Sequence, residues 1–70
     1  MDRITFIRDP RVRRYIAMRG GVAVAYVYGR VGLWTAHAIG ADETLRREAR
    51  TREGATLRVL HAAACLGGAG

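Results

Sequence analysis

The sequence predicts a small α+β fold: an antiparallel sheet centred on a 22–28/31–39 hairpin, with a C-terminal helix packed on one face. Three observations predict it. Val22–Tyr28 and Val31–Ile39 are rich in β-branched and aromatic residues, and Gly29-Arg30 between them is a tight-turn dipeptide. Thr51 followed by Leu57, Leu60 and Ala64, with Val59 and Ala63, has the start signal and the spacing of a helix running to about Cys65. Seventy residues make one domain, 1–70, and no more.

Ile4–Arg8 is a short β-type run. Asp9 is a good N-cap and Pro10 suits a first helical position, which predicts a helix over Pro10–Arg19 closed by Gly20-Gly21. Val12 and Ile16 would lie on its buried stripe. A rival reading makes Arg13–Arg19 a strand that Gly20-Gly21 turns into the next strand. The helix is preferred because Asp-Pro is a specific start signal, whereas Gly-Gly serves either case.

On the first hairpin strand Val22, Val24, Tyr26 and Tyr28 share a face, with Ala23, Ala25 and Val27 on the other. On the second, Val31, Leu33, Thr35, His37 and Ile39 oppose Gly32, Trp34, Ala36 and Ala38. Neither face carries a formal charge, so both need cover. One terminal helix cannot supply it twice, and a homodimer burying the remaining face is expected.

Ala41–Arg50 is ambiguous. It has helix formers and the i,i+4 pairs Glu43–Arg47 and Glu48–Arg52, but only Leu45 and Ala49 to bury. Asp42 and Glu43 read as helix-start charges. A break is expected near Thr51–Gly54, and Gly67-Gly68 ends the last helix.

Composition narrows the chemistry. Twelve Arg against six Asp and Glu give a net charge of +6, and Ser, Asn, Gln and Lys are absent. No Ser nucleophile and no Asn or Gln for an oxyanion hole are present, and Cys65 stands alone beside two His. A chain this short buries about 60% of its unfolded surface, leaving little room for a ligand pocket. No enzyme is expected, and no cofactor. His61 and Cys65 at i,i+4 have the spacing of two ligands on one metal, with His37 as a distant third. A boundary His and a semi-buried Cys near a helix end are the simpler reading.

A lone Cys favours a reducing compartment, and Met1-Asp2-Arg3-Ile4 is not the start of a secretory signal. A cytoplasmic location is therefore expected. Gly20–Ala41 is long enough to span a bilayer, but Arg30 at its middle would cost roughly 2.5–3.5 kcal/mol. Its glycines and β-branched residues suit two strands better. A small membrane protein is the third-ranked reading.

The arginines carry the functional reading. Arg8, Arg11, Arg13, Arg14 and Arg19 cluster early, and Arg46, Arg47, Arg50, Arg52 and Arg58 cluster late. Guanidinium forks bind phosphate or carboxylate bidentately and stack on flat rings. Arg11, Arg13, Arg14, Arg19, Arg30, Arg46, Arg47 and Arg50 are the candidate contacts, to nucleic acid or to an acidic protein or nucleoprotein surface. Tyr26 and Tyr28, at i,i+2, have the spacing to stack bases, although core or dimer packing is the favoured reading. Trp34 lies on the Ala-lined face and reads as core or interface.

A sheet ahead of a Thr51-capped helix resembles the layout of small antitoxin-like and phage-encoded modules. The lack of catalytic equipment is similar to that of phage or mobile-element inhibitors, anti-CRISPR proteins among them. The likeness is of layout and carries no residue roles with it. The leading expectation is a basic, non-catalytic module that engages nucleic acid through phosphates. The alternative is an inhibitor that blocks a host protein or nucleoprotein complex.

Overall fold

The computed structural model describes residues 3–42 and 44–67. Five strands and one helix run in the order β1 Ile4–Asp9, β2 Arg14–Arg19, β3 Val22–Arg30, β4 Leu33–Ala38, β5 Arg46–Ala49 and α1 Arg52–Gly67. The sheet is an antiparallel meander in which each strand pairs with the next. The α+β architecture, the central hairpin and the packed C-terminal helix match the sequence expectation.

The helix expected over Pro10–Arg19 is replaced by a turn and a strand. Asp9 accepts the Arg11 backbone N–H at 3.0 Å, so it caps a turn rather than a helix. Tyr15 and Ile16 then extend, and β2 pairs with strands on both sides, from Asp9↔Arg14 to Ile4↔Arg19 and from Tyr15↔Val27 to Arg19↔Val22. Cross-strand packing on two edges outweighs a local start signal. Val12 is half exposed at the turn, not part of a buried stripe. Gly20 and Gly21 both take positive φ, 58° and 79°, as a two-residue type I′ hairpin turn requires.

The next turn is displaced from its expected place. Gly29 and Arg30 continue β3, and Val31-Gly32 makes the turn. Gly29 instead lies opposite Trp34, with φ 139°; a Cβ there would strike the Leu33 carbonyl oxygen. A register shift at Ala17/Met18 leaves Val24 as an extra residue on β3. Val24 accordingly packs with the core instead of sharing the face of Tyr26 and Tyr28.

Arg46–Ala49 is a strand, not a helix. Asp42 accepts the Thr44 N–H and hydroxyl, each at 2.8 Å, and so makes a turn rather than a helix start. As a helix this segment could bury little. As β5 it sets Ala49 opposite Trp34, while Arg46, Arg47 and Glu48 keep the edge charged against further pairing. Of the two expected ion pairs, Glu43–Arg47 lies outside the described residues. Glu48 is on β5 and Arg52 on α1, so their helical spacing is lost.

α1 starts as expected: the Thr51 hydroxyl accepts the Gly54 N–H at 3.0 Å. It packs over β3, β4 and β5. Its buried side is Ala55, Thr56 and Val59, with Leu60, Ala62 and Ala63 beside them. Leu57 and Ala64, expected inside, are exposed. Small residues on the facing sheet, Ala25, Val27 and Ala36, let the helix approach closely, and its own small residues meet them. The buried Thr56 hydroxyl donates to the Arg52 carbonyl at 2.8 Å.

Candidate functional site

The meander decides where the arginines go. Its β1–β2 turn, β3–β4 turn and β5–α1 junction all fall at one end of the sheet. Arg8, Arg11, Arg13, Arg14, Arg30, Arg50 and Arg52 therefore converge there from three separate stretches of sequence. The carboxylates at this end are Asp9, Glu48 and Glu53. Asp9 is engaged: Arg14 Nε donates to its Oδ2 at 3.0 Å, the ion pair found among the described residues. The Arg11 backbone N–H, and then the Arg14 guanidinium, hold the Asp9 carboxyl below its ordinary pKa.

The eight candidate contacts divide. Arg11, Arg13, Arg14, Arg30 and Arg50 share this end, spread across the sheet from the β1–β2 turn to the edge after β5. Arg19, Arg46 and Arg47 lie toward the opposite end, where β2 finishes and β5 begins. Arg47 donates to the Arg46 carbonyl at 2.7 Å, and Arg58 reaches from α1 to the Glu48 carbonyl at 3.2 Å. Arg8 belongs with the converging group but is not among the eight; the alternation of turns in a meander is the signal that finds it.

Arg52 has a different task. Its guanidinium lies 4.6 Å from the Tyr15 ring centroid, 5.1 Å from Phe6 and 5.5 Å from Trp34. Tyr15 and Trp34 meet edge to face at 6.0 Å. The first residue of α1 thus covers the part of the helix-side face that the helix body does not reach. Trp34 is partly buried and packs against the edge of the core. Beside it a shallow depression of about 320 Å³ is lined by Arg8, Arg13, Arg14, Tyr15, Gly29 and Trp34.

Among the described residues no element packs over the other face of the sheet. Along it run Ile7, Ile16, Tyr26, His37 and Arg46 in one cross-strand row, with Arg14, Tyr28, Thr35 and Glu48 in the next. The face expected to be free of charge on the central hairpin is not: Arg30 ends β3 in line with Tyr26 and Tyr28, opposite Leu33. The strands flanking β3 and β4 bring Arg14, Arg46 and Glu48 onto it as well. Arg14 lies over Tyr26, 3.9 Å from its centroid. Tyr28 and His37 are stacked with centroids 5.5 Å apart, and the Tyr28 hydroxyl and His37 Nε2 share a 3.1 Å hydrogen bond. A depression of about 610 Å³ runs from Arg14 past Tyr26, Tyr28 and His37 to the 39–42 loop.

His61 Nε2 and Cys65 Sγ lie 3.6 Å apart on the exposed side of α1. His37 is on the opposite face of the sheet and does not join them. Among the described residues no group of three potential metal ligands comes together, and no helix is long and apolar enough to cross a membrane. The Gly20–Ala41 segment is two strands with turns. No family model, no curated protein and no solved structure matches this chain.

Proposed function

We propose that this protein is a non-catalytic module that binds nucleic acid through its phosphates, using the arginines gathered at one end of the sheet. The observation that carries the reading is the convergence of Arg8, Arg11, Arg13, Arg14, Arg30 and Arg50, distant in sequence, on the turn end of the meander. Guanidinium forks match phosphate oxygens, and a cluster of them outnumbering nearby carboxylates favours a polyanion. Arg14 is held in place by Asp9 and Tyr26, which reduces the ordering needed on binding.

The test is titration of unrelated DNA and RNA over a range of salt. Log affinity should fall with log salt by about 0.7 to 0.9 per phosphate contact. Arg13→Ala should flatten that slope by roughly one contact, with similar losses on every sequence. Absence of binding to free nucleic acid at physiological salt contradicts the reading.

A second reading has its own support. Val31 is 94% exposed and Val12 is 50% exposed, both at turn tips among the arginines. Apolar tips beside Arg are features of protein interfaces, and fit an inhibitor that occludes a protein or nucleoprotein complex. One tight protein partner, weakened by Val31→Asp, together with poor affinity for free nucleic acid, would select it.

A further inference from the structure

We infer that the uncovered face of the sheet seats the bases of a single strand, so that the module prefers single-stranded to duplex nucleic acid. The inference rests on the phosphate-binding reading and adds what lies beyond the phosphates. A duplex keeps its bases stacked inside and can offer the Arg end only its backbone. A single strand can lay its bases on flat groups, and every base has a ring face to give.

The flat groups are on this face. Tyr28 and His37 lie within 20° of parallel and lock each other through the 3.1 Å hydrogen bond. The Arg14 guanidinium rests on Tyr26, yet its side chain is still 37% exposed. Guanidinium planes stack on bases as aromatic rings do. The depression they line, about 610 Å³, falls in the size range of small-ligand sites.

Continuity with the basic end picks this occupant. Arg14 lines both this depression and the one formed with Arg8 and Arg13 on the other side of the sheet end. A strand whose bases lie on Tyr28 and His37 therefore has its phosphates beside the converging arginines. Asp42 borders the opposite end of the depression, and its carboxylate turns phosphates away from there. A second copy of the chain is a poorer occupant. Arg14, Thr35, Arg46 and Glu48 interrupt the apolar residues of this face, and a dry seam would have to pair each of them.

The experiment compares a labelled single-stranded oligodeoxythymidine with a duplex of equal phosphate number, by fluorescence anisotropy. Tyr28→Ala should weaken single-strand binding by about 5- to 150-fold, the range for losing one stacked base. Duplex affinity and both salt slopes should stay as in the parent. Tyr28→Phe keeps the ring and should remain within a few-fold of the parent, which separates lost stacking from lost folding. Equal affinity for both probes, with Tyr28→Ala changing neither, overturns this inference and leaves phosphate binding standing. Binding of neither probe overturns both. A wild-type dimer by light scattering that Tyr28→Ala dissociates assigns the face to a second copy and also overturns the inference.

Discussion

Arg14 lies across Tyr26, its guanidinium carbon 3.9 Å from the ring centroid, while its Nε donates to Asp9 Oδ2 at 3.0 Å. The two contacts come from opposite directions in the fold. Asp9 ends β1 and fixes the first turn; Tyr26 is in the middle of β3. One side chain therefore joins the edge strand, the basic end and the uncovered face. Its planar cation cannot be replaced by a point charge, since Lys has no plane to lay on the ring.

The same contacts set an acid dependence. Asp9 titrates below its ordinary value, chiefly because of the Arg11 backbone N–H and then Arg14. Asp42 is shifted the same way by the Thr44 backbone N–H and then the Thr44 hydroxyl. A depressed carboxyl stabilises the fold above its unfolded pKa, and that stability is lost as pH falls through the folded one. Thermal unfolding should therefore weaken from the ordinary carboxylate range downward. The Asp9→Asn, Asp42→Asn double variant should show a flatter acid limb than the parent. An identical limb would show that neither turn contributes.

Arg52→Ala removes a cation from among Phe6, Tyr15 and Trp34 and bares part of the core. The expected loss is about 1–2 kcal/mol, read from the denaturation midpoint, with Trp34 emission moving to longer wavelength. Arg52→Lys should recover part of it. Unchanged midpoint and emission would show that the three rings are held without Arg52.

Gly29 and Gly21 make a contrasting pair. An alanine at Gly29 needs both an unfavourable backbone, φ 139°, and the space of the Leu33 carbonyl oxygen, with Trp34 Cα at 3.0 Å. At Gly21 nothing lies within 4 Å of the added carbon, and only the backbone at φ 79° resists. Gly21→Ala should cost about 1–2 kcal/mol. Gly29→Ala should cost about 3 kcal/mol or more, because backbone strain and overlap add. Equal losses would mean that β3 and β4 move apart around residue 29 at little expense.

The central hairpin and the Thr51-capped helix were legible from β-branched composition in one and a capping hydroxyl in the other, but the hairpin turn sits two residues later than Gly29-Arg30, and Leu57 and Ala64 of the expected apolar arc face outward. Asp9-Pro10 misled because the same dipeptide starts turns and helices, and the outcome depends on whether β1 and β3 flank residues 14–19. Arg46–Ala49 is a strand only because β4 offers an edge, which no local propensity reveals. The arginines could be listed from the sequence but not grouped. Arg13 and Arg50 become neighbours in role, and Arg19 and Arg46 leave the group, through the order of turns in a five-strand meander. Arg52 looks like one more surface cation in the sequence, and it turns inward because α1 leaves Phe6 and Tyr15 uncovered.

The arginines at the turn end of the sheet are expected to act together, and those at the opposite end are not. Arginine side-chain Nε–Hε resonances, tracked by NMR as single-stranded oligodeoxythymidine is added at physiological salt, test this most directly. Shifts and slowed exchange are expected for Arg8, Arg11, Arg13, Arg14, Arg30 and Arg50, with Arg19 and Arg47 nearly unmoved. Uniform small shifts over all of them, or the largest shifts at Arg19 and Arg47, would contradict this grouping.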